Sequence, residues 1–124
     1  MIKSATLIGI GGAVGSILRY FFSKLIQTNV STIFPLGTLA VNVSGCFLIG
    51  VIFGLSERYN VAPEWRLLLA TGLCGGYTTF STYSNESVAM LREGQWWYFT
   101  MYVASSVILG ILATLTSIFL MEKI

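Results

Sequence analysis

The chain contains no histidine and no aspartate. Those two absences remove the Ser-His-Asp and Cys-His constellations and most zinc sites together. Hydrolytic chemistry is not expected, nor is any other enzyme activity. Cysteine is scarce as well: Cys46 and Cys74 lie in apolar or glycine-rich surroundings without CxxC spacing, which points to packing rather than redox work. Charge is the third shortage, at 10% of residues. The seven basic residues are scattered one or two per loop and the five acids are all Glu, so no basic surface for nucleic acid is available. A small-residue cleavage site is missing after the opening apolar run, and Arg19 follows instead, so this run reads as a retained span rather than a signal peptide.

What remains is a membrane composition. Of 124 residues 55% are hydrophobic, and the mean hydropathy is +0.79. Lipid is the main expected surrounding, and one compact domain over residues 1–124 is the expected organisation.

Four apolar stretches are near the ~20 residues that a membrane-crossing helix needs. The first runs over residues 2–22. Its Gly9, Gly11, Gly12 and Gly15 imitate a dinucleotide loop, but Val14 takes the last glycine position and no strand precedes it. Gly11 and Gly15 instead form GxxxG, a face that lets two membrane helices approach closely. Arg19 either snorkels to the headgroups, the simpler reading, or sits at the mouth of an anion pathway. A polar connection over residues 24–34 leads to Pro35, a suitable first-turn residue.

The second span is expected over residues 35–55, with a further GxxxG at Gly50 and Gly54. Thr38 and Asn42 share one face of it, and a mid-span Asn must hydrogen-bond to another helix or face a pore. The third stretch covers residues 65–91. Gly75 and Gly76 interrupt it, and neither half is a comfortable span, so one discontinuous helix broken near Gly75–Gly76 is expected. Glu86 is the one acid near the membrane interior on this helix, suited to an Arg-paired interfacial role or to proton coupling. Trp96, Trp97 and Tyr98 form an aromatic belt opening the last span, residues 96–121. In it Tyr102, Ser106, Gly110 and Thr114 recur every four residues, a small and polar stripe fit for a helix contact or a pore wall.

Four spans put both termini on one side. That side carries Lys3, Arg58, Arg66 and Lys123, and the other carries Arg19, Lys24 and Arg92. So small an imbalance expresses almost no orientation preference, and two copies inserted oppositely can pair antiparallel.

The break itself suggests chemistry. Carbonyls released from a helix can coordinate a hard cation, and Thr78, Thr79, Ser81, Thr82 and Ser84 supply hydroxyls. Phe80 and Tyr83, three apart on one face, can turn positive ring edges toward a small anion. The alternative is a helix contact softened by small residues.

These residues carry a resemblance. GLCGGYTTFSTYSNE, residues 72–86, resembles the GxxGGxTTFSTF signature of the small Fluc (CrcB-type) fluoride channels. GxxGxxxRY from Gly12 to Tyr20 and PLGTLxVNxxGxFxxG from Pro35 to Gly50 extend the likeness over essentially the whole chain. The resemblance implies an all-α integral membrane protein of four transmembrane helices that pairs as an antiparallel, dual-topology homodimer. It further implies a passive, fluoride-selective channel in the cytoplasmic (inner) membrane, with two pores and a central structural sodium ion. The sodium would be held by the backbone carbonyls of Gly75 and Thr78 from each copy. Phe80 and Tyr83 would be the aromatic pair along each pore, with Asn42 as a donor nearby and Arg19 toward the vestibule. Ser81, Thr82, Thr38, Tyr102 and Ser106 would add polar contacts. Two departures stand out: Tyr83 replaces the signature's second phenylalanine, and the fourth-helix polar track ends in Gly110.

The rival from another class is a proton-coupled small multidrug antiporter, which needs a membrane-embedded carboxylate. Every Glu here lies at or near a span end. A non-transporting assembly subunit is the remaining alternative, and it gives no reason for a carbonyl-rich break.

Overall fold

A computed structural model describes residues 1–124. The chain is helical almost throughout. The elements are α1 (Ile2–Asn29), α2 (Leu36–Tyr59), α3 (Pro63–Arg66), a π-helical stretch (Leu67–Cys74), α4 (Gly75–Tyr77), α5 (Phe80–Arg92) and α6 (Trp96–Lys123). Three of these, α1, α2 and α6, are long and apolar enough to cross a membrane. The stretch from Pro63 to Arg92 is divided at Thr78 and Thr79, helical over residues 63–77 before them and over the 13 residues of α5 after them.

Helix α1 extends seven residues past the expected end at Phe22, because its polar tail closes on itself. Thr28 Oγ1 donates to Lys24 O at 2.9 Å, and Asn29 Nδ2 donates to Leu25 O at 2.9 Å. Gln27 then staples the loop, donating to the carbonyls of Thr32 and Phe34 while its Oε1 accepts the Gly37 amide. At 1.5 Å per residue, the 28 residues of α1 reach about 42 Å, longer than a hydrocarbon core of about 30 Å. Pro35 caps α2 from just outside rather than entering its first turn.

Large apolar side chains such as Ile10, Phe21, Ile108 and Leu112 face outward, while few are buried. That inversion suits lipid, where helices gain little by hiding leucines from one another and associate through close backbone approach. Gly11 and Gly15 provide the approach on α1. A Cβ on Gly15 would collide with the Leu73 carbonyl and lie 2.9 Å from the Tyr77 amide. Gly50 and Gly54 do the same between α2 and α6, facing Ser117 and Met121. There Thr114 Oγ1 also donates across the contact to Cys46 O at 3.0 Å. Cys46 and Cys74 are free thiols, half-buried and buried. Helix α5 closes on Gly94 at φ 72°, with Gln95 N–H reaching Met90 O and Gly94 N–H reaching Leu91 O, a Schellman ending.

The interruption does not fall at Gly75–Gly76. Gly75 is helical at φ −61°, ψ −37°, and helix persists to Tyr77. The extended residues are Thr78 (φ −83°, ψ 156°) and Thr79 (φ −145°, ψ 122°). Gly76 serves close packing instead, since a Cβ there would press on the Gly12 backbone.

Candidate functional site

Two extended residues inside an apolar bundle leave backbone groups that only the protein can satisfy. Asn42, on the facing side of α2, does so at both ends of Thr79: the Thr79 amide donates to Asn42 Oδ1 at 2.8 Å, and Asn42 Nδ2 donates to Thr79 O at 3.1 Å. Thr79 then begins α5 as its cap, with Oγ1 accepting the Thr82 amide at 3.2 Å. Thr78 Oγ1 turns back to Cys74 O at 2.9 Å. On the other flank Arg19 is half-buried, and its Nε donates to Gly76 O at 3.0 Å. It therefore leans on Gly76, two residues before the break, rather than reaching only toward headgroups.

The same rearrangement bears on cation binding. In a continuous helix the Gly75 and Thr78 carbonyls would accept the amides of Thr79 and Thr82. Those amides are committed to Asn42 Oδ1 and Thr79 Oγ1. Two hard oxygen donors are thus released from helical pairing, the kind of ligand an alkali cation takes. No group of three His, Cys, Asp or Glu side chains could hold a metal.

Next to the break lies a groove of about 290 Å3 lined by Asn42, Cys46, Thr78, Thr79, Phe80, Tyr83, Ser106 and Val107. It brings together Asn42, Phe80, Tyr83 and Ser106 from four separate positions of the sequence. Phe80 is 79% exposed, so its ring is a surface of the groove rather than a packing piece. Its centroid is 5.6 Å from that of Tyr83, whose ring lies 5.1 Å from that of Tyr102. Phe34 meets Tyr102 edge-on at 5.6 Å and Tyr98 at 6.1 Å, which extends the aromatic row to the end of the bundle. Ser106 Oγ is buried with no hydrogen-bond partner.

Thr38 and Tyr102 sit apart from this groove. Both donate to the Glu86 carboxylate, Thr38 Oγ1 to Oε2 at 3.0 Å and Tyr102 Oη to Oε1 at 2.8 Å. Glu86 thus takes two hydroxyl partners from α2 and α6 in place of an arginine. It also lines a second hollow of about 320 Å3 beside Gln27, Pro35, Glu93 and Gln95. Ser81 is exposed, its Oγ 3.4 Å from Thr79 Oγ1, and Thr82 contributes its amide to the cap. Sequence reasoning offered Glu86 an arginine rather than the Thr38 and Tyr102 hydroxyls, and left Phe34 out. Glu86 follows Tyr83 by three residues on one helix face, which was the available signal; Phe34 in its loop offered none.

The arrangement defines a polytopic helical membrane protein with a divided helix, clamped by a neighbour's amide beside a groove of hydroxyls and aromatic rings. Residues 6–118 match the family described as CrcB-like protein, Camphor Resistance (CrcB). Among curated relatives, the fluoride-specific ion channel FluC of Phocaeicola vulgatus is 48% identical over 120 residues, covering 97% of this chain and 99% of that protein. The FluC proteins of Chlorobium phaeobacteroides and Aquifex aeolicus are 52% identical over 107 residues and 46% identical over 118 residues. These cover 86% and 94% of this chain, and 83% and 95% of theirs. The chain belongs to the CrcB family.

Proposed function

We propose that this chain is a passive, fluoride-selective channel that lets fluoride leave the cell across the cytoplasmic membrane. The observation that carries the reading is the groove beside Thr78 and Thr79, which offers an amide, hydroxyls and ring edges without one charged side chain. Fluoride is small and strongly hydrated, so a selective path must replace its water with donors and remain too narrow for larger halides. A buried Lys would hold the ion; ring edges and neutral donors let it go.

From the hollow around Glu86, the route passes the Thr38–Glu86–Tyr102 cluster and the Tyr83 ring into the groove. Arg19 stands at the flank of the break, where its charge draws anions toward the bundle. Two copies paired antiparallel would give two such routes. In support, Ser44, Gly75, Phe80 and Ser81 are exposed near the middle of their spans. A second copy inserted oppositely would cover them, as the balanced basic residues allow. Gly75 and Thr78 of both copies would hold a sodium ion through their carbonyls. When bound, that ion supplies fixed positive potential at the dimer centre and cross-links the two breaks.

The test is anion efflux from liposomes holding the purified protein. Fast release of fluoride without release of chloride is the expected result, and release of neither refutes the reading. Glu86 also keeps the antiporter reading in view, being a carboxylate among hydroxyls inside the bundle. An imposed pH gradient separates them, because an antiporter would drive uptake of an organic cation and a passive channel would not.

A further inference from the structure

We propose that Gln27 is a positioning residue of the conduction route: by fixing the connection between α1 and α2, it keeps the Glu86 carboxylate gripped by Thr38 and Tyr102 at the mouth. The inference rests on the channel reading and deepens it.

The hollow beside Glu86 is an unfavourable entrance for an anion. Its two ionisable lining residues are Glu86 and Glu93, and no Lys or Arg lines it. Negative charge there repels an approaching anion, so a route through this hollow depends on how the Glu86 carboxylate is held. Both of its oxygens are engaged, Oε2 by Thr38 Oγ1 at 3.0 Å and Oε1 by Tyr102 Oη at 2.8 Å. Two donated hydroxyls fix the direction of the carboxylate and offset part of its charge. Released from them, it would turn into the hollow and add its charge to that of Glu93.

Gln27 acts on both hydroxyls through its neighbours. It is half-buried near the end of α1. Its Nε2 donates to Thr32 O at 3.0 Å and to Phe34 O at 3.1 Å, and its Oε1 accepts the Gly37 amide at 3.0 Å. Gly37 directly precedes Thr38 and is buried against the backbone of Ser23, one helical turn before Gln27 on α1. Phe34 meets Tyr102 edge-on, with ring centroids 5.6 Å apart and planes at 83°. A single side-chain amide thus sets the start of α2 behind Thr38 and the ring that packs on Tyr102. Gln27 also lines the hollow, but both of its N–H groups are committed to carbonyls. That commitment assigns it to holding the mouth rather than to meeting the ion.

The experiment measures fluoride efflux from liposomes for the parent, Gln27→Ala, Phe34→Leu, Glu86→Gln and the double variant Gln27→Ala with Glu86→Gln. A unit charge about 10 Å from an ion, at an effective dielectric of about 20, changes a rate by roughly a factor of ten. Gln27→Ala should therefore release fluoride about tenfold more slowly than the parent. Sodium gluconate at about 1 M contracts the screening length to about 3 Å and should recover most of that loss. In the Glu86→Gln background there is no charge to restrain, so Gln27→Ala should change efflux by less than about twofold. Phe34→Leu keeps the amide and its bonds but takes the ring from Tyr102, and should show a smaller deficit with the same salt dependence. It carries the test by itself if Gln27→Ala does not fold, and efflux from it equal to the parent's then overturns the inference. A loss that persists in high salt, or that is equally large without the Glu86 charge, marks a general loosening of the bundle and overturns the positioning role. Efflux from folded Gln27→Ala equal to the parent's overturns it as well and leaves the channel reading standing. A parent chain that releases no fluoride refutes both.

Discussion

Asn42→Ala separates two roles that one side chain can hold. Asn42 binds the amide and the carbonyl of Thr79, at 2.8 and 3.1 Å, across 37 residues of sequence. If these were ordinary side-chain bonds between membrane helices, averaging about 0.6 kcal/mol each, their loss would cost about 1.2 kcal/mol. That average reflects groups that find other partners in the unfolded or relaxed state. Thr79 has less freedom, because its extended conformation takes it out of the helical ladder and its Oγ1 is already the cap of α5. A buried unsatisfied backbone group costs about 1–3 kcal/mol, so two give roughly 2–6 kcal/mol. The larger estimate governs here, and Asn42→Ala should lose about 2–4 kcal/mol after local relaxation. Unfolding in mixed micelles measures this loss, and fluoride efflux from liposomes measures the consequence. Asn42→Asp keeps an acceptor for the Thr79 amide and should recover part of the stability. A variant Asn42→Ala within ~0.5 kcal/mol of the parent would refute the clamp; full stability with lost efflux would assign Asn42 to the ion alone.

Gly15→Ala places a methyl against the Leu73 carbonyl and the Tyr77 amide, both backbone, and should cost about 1–3 kcal/mol by overpacking. Gly9→Ala, with nothing within 4 Å of its Cβ, should leave the same unfolding curve unmoved. Glu86→Ala strands the Thr38 and Tyr102 hydroxyls and should destabilise by about 2–4 kcal/mol in micelle unfolding. Glu86→Gln retains an acceptor oxygen and should lose less; equal losses would show that the hydroxyls do not depend on the carboxylate. Replacing sodium by a bulky organic cation should lower the melting temperature and favour monomer on size-exclusion chromatography. Indifference to sodium in both measurements would remove the proposed carbonyl site.

Much of this organisation is local enough to be legible in the sequence. Gly11 and Gly15 declare a close helix contact because only a missing Cβ serves it, and the Thr38–Asn42 spacing puts both side chains on the inward face of α2. The position of the interruption was not legible. Gly75–Gly76 is the stronger local breaker, yet helix holds there because Gly76 is used for approach to Gly12, and Arg19 binds the Gly76 carbonyl. The chain opens at Thr78 and Thr79, where Asn42 supplies what the helix gives up. That choice is made by a contact 37 residues away, beyond any local pattern. The partners of Glu86 are equally non-local, 48 residues to Thr38 and 16 to Tyr102.

These two distant contacts divide the polar residues of the bundle by task. Asn42 spends its hydrogen-bonding groups on Thr79, and Thr38 and Tyr102 spend theirs on Glu86, so each secures α5 to α2 or α6. A carboxylate between two hydroxyls pins the polar middle of α5, whose only buried residues are Ser87 and Met90. Ser106, by contrast, holds nothing in place within the chain and keeps an unpaired hydroxyl at a depth where that is costly. The groove that Ser106 lines adjoins a break held open by Asn42 and by the Thr79 cap.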